Sequence, residues 1–363
     1  MKFLPRLLPS VCLAFAATMA ALIAAPASIG PTNNAGLRAQ FFKLCDVAAA
    51  QVTNPRSKGP FFVDSYAVRA LGVAFDMTGN RKYLDACRAW SDRMVQYQEQ
   101  MTPPGAYYMH YNRRPGETNG DWYAADSSSI GMAVLATAVR CHGAERDRLL
   151  GSAERFADLV INNYVKPDGG VSDGLWRESS DAWWNSSALF GSLLFNLYAN
   201  TGNPRYLKPA LAVTDWLNHL DLTKNQPFPL SQQGPAMIFY VMENYSAGWP
   251  EIEKDQAIHQ AALAKVRWCL DWMAEQQGKP LADRQWPPTK GWGMKFGGLP
   301  FHEYIFSHYL PADGKLTADG DAEMQRLAGM VFAGKPKFTQ LSAFLMMSYA
   351  ERLDPGAVYR TGR

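Results

Sequence analysis

Three stretches of the chain gather side chains able to hold and transform a polar substrate. The first carries Tyr107-Tyr108-Met109-His110-Tyr111-Asn112-Arg113-Arg114, then Asp121-Trp122-Tyr123 and Asp126. The second carries Asp173, Trp176, Arg177, Glu178, Asp181, Trp183, Trp184 and Asn185. The third presents Trp286, Trp292, Lys295 and Phe296, followed by Phe301-His302-Glu303-Tyr304. Asp64, Tyr66 and Arg69 open an apolar helical stretch, and Gln232, Gln233, Glu243 and Tyr245 bracket another. A flat ring stacks on the C–H face of a sugar, while Arg, Asn and carboxylates make directed hydrogen bonds to its hydroxyls or to a carboxylate. These residue types therefore point to a carbohydrate ligand.

Several of the same residues have a purely structural reading as well. Trp183-Trp184 could anchor a core, since successive residues at a helix start point in different directions. Asp126 and Asp181 could be helix caps or first-turn acids, favoured there without any catalytic role. His142, His219 and His259 fall at helix ends or on outer faces and read as surface residues, whereas His110 and His302 sit in aromatic stretches.

The elements that must position these groups are helical. Arg81 to Gln98 places Tyr83, Leu84, Cys87, Trp90, Met94 and Tyr97 on one face, the pattern of an amphipathic outer helix. Ser186 to Tyr198 is apolar on all sides, as expected of a helix surrounded by others. Alternation of the two kinds predicts inner helices over Asp64–Met77, Ala125–Cys141, Asn185–Ala199, Gln233–Tyr245, Phe301–Leu310 and Phe338–Leu353. Outer helices are predicted over Leu37–Gln51, Arg81–Gln98, Glu145–Tyr164, Arg205–Leu220, Asp255–Gln276 and Asp321–Phe332. The expected fold is all-α, an (α/α) toroid of about six helical hairpins. Its long outer-to-inner loops would wall a cleft on one face, and the free N–H groups of the inner helices there favour anionic ligands.

Composition bounds the reading further. With 363 residues and 47% apolar content, the chain can bury a large core. Lys2 and Arg6, an apolar run from Leu7 to Ile23 and Ala25-Pro26-Ala27 read as a secretory signal peptide over residues 1–27. Residues 28–363 are then expected as one domain, secreted or periplasmic. Loss of the leader takes the formal charge from +3 to +1, which gives no support for nucleic-acid binding. No later stretch is long and apolar enough for a membrane span. Cys45, Cys87, Cys141 and Cys269 lie in wide-spaced helical contexts and read as buried thiols. No Cys/His spacing marks a metal site, and no cofactor is implied.

The turn Thr78-Gly79-Asn80-Arg81-Lys82-Tyr83-Leu84 returns as Thr201-Gly202-Asn203-Pro204-Arg205-Tyr206-Leu207. Hairpins joined by such turns, with aromatic loops before the inner helices, resemble the (α/α)-toroid carbohydrate-active enzymes. The closest likeness is to polysaccharide lyases acting on uronic-acid polymers such as glucuronan and alginate, and the next to unsaturated glucuronyl hydrolases. The first resemblance implies an acidic polysaccharide substrate and β-elimination. Tyr304 would be the base, His302 an alternate base, and Asn185 and Arg177 would hold the sugar carboxylate. Arg69, His110, Asn112, Arg113 and Lys295 would bind neighbouring uronates. The second resemblance implies hydrolysis, with Asp126 as proton donor and Asp64 and Asp181 as further acids at helix mouths. Trp122, Trp183, Trp184 and Trp292 are the expected sugar platforms on either reading. A glycan-binding protein without turnover is the third expectation.

Overall fold

The two copies of the Thr-Gly-Asn turn fold alike. The hydroxyls of Thr78 and Thr201 donate to the carbonyls of Ala74 and Leu197, at 2.6 and 2.7 Å. Gly79 and Gly202 both have φ of 66°, a left-handed conformation that glycine adopts without steric cost. Asn80 and Asn203 then cap the following helices, each side chain accepting a backbone N–H at 3.1 Å, from Lys82 and Arg205.

The computed structural model describes residues 34–56, 59–109, 122–174, 181–223, 237–285, 288, 291–311 and 314–359. In chain order its helices are α1 (Asn34–Val52), α2 (Phe61–Thr78), α3 (Arg81–Gln98), α4 (Ala124–Ala138), α5 (Gly143–Asn163) and α6 (Trp184–Thr201). They continue as α7 (Pro204–Asn218), α8 (Ile238–Ile252), α9 (Gln256–Gly278), α10 (Leu299–Tyr309), α11 (Gly314–Val331) and α12 (Gln340–Leu353). A 3₁₀ helix, Gly291–Gly298, precedes α10. Among the described residues only isolated bridges, Val165 to Val171 and Ser172 to Ala182, interrupt the helical pattern.

The even-numbered helices form the inner ring. Each packs against the next, α2 on α4, α4 on α6, α6 on α8, α8 on α10 and α10 on α12, and α12 returns to α2. This is the closed (α/α) toroid that the alternation predicts. Burial follows the same division: α2 is buried continuously from Val63 to Ala74, whereas α3 buries only one stripe that includes Tyr83, Cys87, Trp90 and Met94. A fully buried leucine such as Leu71 contributes about 1.5–3 kcal/mol through removal of apolar area from water.

Two predicted boundaries differ appreciably: the last outer helix, expected from Asp321, begins at Gly314. The fourth inner helix runs past Tyr245 to Ile252, through Gly248 and Pro250. Gly248 serves here as a close-contact residue and not as a stop: a Cβ on it would lie 2.2 Å from the Phe195 ring of α6. Cys45, Cys87, Cys141 and Cys269 are all buried free thiols, as their apolar settings suggest. No described helix is long and apolar enough to cross a membrane.

Candidate functional site at the mouth of the ring

The inner helices share one polarity, so their N-terminal turns surround one opening. Asp126 lies in the first turn of α4 and is half-buried. Asn185, also half-buried, lies in the first turn of the neighbouring α6, and its Oδ1 has no hydrogen-bond partner among the described residues. The segment before α6 ties these two turns together. Its Asp173 accepts the Ala124 N–H on the main chain, at 3.3 Å, and the Ser186 hydroxyl on the side chain. Val171 accepts the Trp183 N–H at 2.9 Å and donates its own N–H to Ser187 Oγ at 2.9 Å.

Lys295 enters from the 3₁₀ helix, which is pinned to α12 by the Ser348 hydroxyl donating to the Gly297 carbonyl at 2.8 Å. Its side chain is buried, with Nζ 3.9 Å from the ring centre of Tyr240 in the first turn of α8. Burial drives the Lys295 ammonium well below the usual lysine range, and the Asp126 charge opposes that shift. Burial likewise pushes the Tyr240 hydroxyl up, with Asp126 and Glu243 adding to it. Asp126, Lys295 and Tyr240 thus share one electrostatic neighbourhood, supplied by α4, the 3₁₀ helix and α8.

Deeper in the ring the axis is filled. Arg69 of α2 pairs with Glu243 of α8 at 2.7 Å, and the Tyr66 hydroxyl donates to Glu243 at 2.8 Å. The Arg69 guanidinium lies 4.5 Å from the Tyr66 ring centre. Tyr66 in turn packs on Phe344 at 4.3 Å and Phe239 at 5.8 Å between ring centres. His302 sits at this level, fully buried, with Nδ1 2.9 Å from the Ser246 hydroxyl. Burial lowers its pKa to about 3, so the imidazole is neutral at any ordinary pH.

Several residues expected at the mouth are elsewhere. Tyr304 is a corrected position: it lies within α10, and its hydroxyl donates to Asp321 of the outer helix α11 at 2.8 Å. Burial and the Asp321 carboxylate hold it above the usual tyrosine range, the opposite of what a base requires. Asp64 is also corrected, since its carboxylate is fully buried and accepts Trp90 Nε1 of α3 at 3.3 Å. Burial raises its pKa to about 7. Arg69 is spent on Glu243, and His302 is sealed below the mouth, so neither reaches a sugar there. Trp122 is a core anchor, edge-on to Tyr164 and Phe156 at 5.1 and 6.2 Å. Trp183 and Trp184 are both buried as well, Trp184 within the main core.

Asp181 remains exposed just before α6. Arg177, His110, Asn112 and Arg113 lie outside the described residues, and Trp292 belongs to the 3₁₀ helix but its side chain is outside them too. Among the described residues no group of three His, Cys, Asp or Glu side chains is arranged to hold a metal ion. Sequence reasoning missed Tyr240 as the support of Lys295. It also missed the pairing of Arg69 with Glu243, although each is a charge amid buried neighbours and so requires a buried counter-charge.

A closed ring of helical hairpins with one decorated mouth defines the (α/α)-toroid class. Solved structures share this fold. A family 76 glycoside hydrolase from a bovine Bacteroides thetaiotaomicron strain superposes with a TM-score of 0.58 at 14% identity, covering 86% of this chain and 77% of its own. A family 76 mannosidase from Bacteroides thetaiotaomicron gives 0.57 at 12% identity, over 88% and 98% of the two chains. A protein described as a polysaccharide lyase gives 0.58 at 12% identity, over 89% and 98%. No protein-family model matches the chain, and no curated protein matches it in sequence.

Proposed function

We propose that this protein is a carbohydrate-active enzyme that hydrolyses glycosidic bonds of a polysaccharide at the mouth of the ring. The observation that carries the reading is the cluster of half-buried Asp126, buried Lys295 and the Tyr240 ring at 3.9 Å from the lysine. A glycosidase needs two carboxyl groups beside the scissile bond. Of the three acids foreseen at inner-helix mouths, Asp64 is turned against Trp90, which leaves Asp126 and Asp181. On this reading Asp126 gives its proton to the glycosidic oxygen as the bond to the anomeric carbon breaks, and Asp181 takes a proton from the incoming water. Lys295 sets the charge around Asp126, and Asn185 binds a sugar hydroxyl. Support also comes from the fold shared with two glycoside hydrolases, one of them described as a mannosidase. Export by the N-terminal segment is part of the same proposal.

β-Elimination on a uronate polymer is the second reading, favoured by the buried Lys295 held over the Tyr240 ring and by its lowered pKa. Lys295 would then replace Tyr304 as the base. In its unprotonated form the amine takes the proton beside the sugar carboxylate, the bond to the leaving oxygen breaks, and that oxygen is protonated in turn.

The test incubates the purified protein with mannan, glucuronan and alginate, and with unsaturated uronate oligosaccharides, following reducing ends and ultraviolet absorbance together. Hydrolysis raises reducing ends on a polymer with flat absorbance. Elimination raises both, and hydrolysis of unsaturated oligosaccharides lowers absorbance. No change in either signal on any of these substrates would overturn both readings in favour of a binding protein.

A further inference from the structure

The two helices whose first turns carry Asp126 and Asn185 both begin without a side-chain cap. Tyr123 and Trp183 stand at the cap positions of α4 and α6 in extended backbone, and neither side chain accepts a helix N–H. On α3 and α7, by contrast, an asparagine does so. A helix start leaves N–H groups to be satisfied from outside. At the mouth the short segment from Val171 to Asp173 binds the starts of both helices.

Asp173 is common to the two. Its main-chain carbonyl accepts the N–H of Ala124, the first residue of α4, at 3.3 Å. Its side chain, in a residue only 4% exposed, accepts the hydroxyl of fully buried Ser186. Ala124 lies two residues before Asp126, and Ser186 directly follows Asn185. Each link therefore ends within two residues of a group proposed to meet the sugar.

The surroundings keep this anchor from shifting. Gly174 has φ of 85°, and a Cβ on it would lie 2.8 Å from the Trp122 ring, so the chain after Asp173 presses on the residue that leads into α4. Before Asp173, the Ser172 N–H donates to the Tyr164 carbonyl at 3.0 Å. Ala124 is held from its other end as well, its carbonyl accepting the Ser128 hydroxyl at 2.6 Å. Rigid support of this kind matters for rate, because a misplacement of about 1 Å at a reacting group can cost about 10²-fold.

We propose that Asp173 is a positioning residue: through Ala124 and Ser186 it fixes the separation of Asp126 from Asn185 across the mouth, and so the alignment of the proton donor with the sugar. The inference rests on the reaction proposed for the mouth. Asp173 acts through its neighbours, and its side chain needs only an oxygen that accepts from Ser186.

The test measures kcat and melting temperature for wild type, Asp173→Ala, Asp173→Asn and Ser186→Ala on the polysaccharide that wild type cleaves. It repeats Asp173→Ala and Ser186→Ala in an Asp126→Asn background. In Asp173→Ala and Ser186→Ala, kcat should fall about 10–100-fold, while Asp173→Asn, which keeps the accepting oxygen, stays within about threefold of wild type. With Asp126 already replaced there is no donor to align, so the same two substitutions should then change kcat by less than about twofold. A merely structural role would instead lower the melting temperature and leave the kcat of folded protein unchanged. Equal fold losses in the two backgrounds overturn the proposal, as does an Asp173→Asn loss as large as that of Asp173→Ala. If Asp173→Ala does not fold, Ser186→Ala decides, since it deletes a single hydroxyl. An Asp126→Asn protein as active as wild type removes the mouth reading and this one with it. Loss of turnover in Asp126→Asn, with wild-type kcat in Asp173→Ala and Ser186→Ala, removes this one alone.

Discussion

Lys295 Nζ lies 3.9 Å from the centre of the Tyr240 ring, so its amine is held on an aromatic face in a buried place. The contact favours the ammonium by about 0.5–2 kcal/mol, while burial works the other way. Burial lowers the pKa of this lysine, and an arginine in its place would hold its proton throughout. Lys295→Arg is therefore expected to reduce turnover at least tenfold, although it keeps the positive charge. Assays of the polysaccharide reaction against pH check this, and a variant as active as wild type would reduce Lys295 to a structural cation.

Asp126→Asn should lower kcat by about 10²–10⁴-fold, the usual contribution of one proton-transferring group. Asp126 is half-buried in a first helical turn, so the melting temperature should move little. Loss of stability without selective loss of kcat would mark the residue as a cap.

Tyr304→Phe separates the mouth from the wall behind it. The hydroxyl donates to the Asp321 carboxylate, a kind of bond worth about 1.5–3 kcal/mol. We expect the variant to melt earlier with kcat within twofold of wild type. A large fall in kcat at unchanged stability would return Tyr304 to the chemistry.

Glu243→Ala should cost about 3–5 kcal/mol, because it strands the buried Arg69 charge. Replacing both partners, as Arg69→Met with Glu243→Leu, should cost less than Glu243→Ala alone. Denaturant unfolding of both variants checks this, and a double variant that loses more stability than Glu243→Ala would contradict it.

Stability should fall between pH 6.5 and 8.5. Glu303 binds its proton up to about pH 8 in the folded state, against the usual carboxylate range when unfolded. Over that interval the folded state holds more protons, so rising pH favours unfolding. Asp64, raised to about 7, adds in the lower part of the window. His302, lowered to about 3, acts with opposite sign, stability rising with pH from about 3 to 6.5, so its contribution is complete below this window. The expected loss is about 1–2 kcal/mol for Glu303. Melting temperatures across the interval should show a shallower slope in Glu303→Gln than in wild type.

The fold was legible because its signals are local. Thr78-Gly79-Asn80 and Thr201-Gly202-Asn203 mark two helix ends outright, and the contrast between all-apolar and one-faced helices separates the two rings. The site was legible only in part. A helix buried on every face has no apolar side to orient it, so its sequence cannot say whether Asp64 looks inward or toward Trp90. The same ambiguity put Tyr304 on the wrong side of α10. For Asp126 the sequence says more, since it lies in the first turn of its helix, where the helix end itself meets the opening. Tyr240 left no sequence signal, since its role depends on a lysine 55 positions away reaching it through a 3₁₀ turn.

Arg69 and Glu243 come from helices that stand opposite one another in the ring, and with Tyr66, Phe239 and Phe344 they close its axis below the mouth. The opening is thus a socket and not a tunnel. A sugar chain cannot be threaded through it, so anything bound there must back out along the path by which it arrived. On the proposed function, departing product and arriving substrate then compete for one doorway, a geometry in which accumulated product slows its own release.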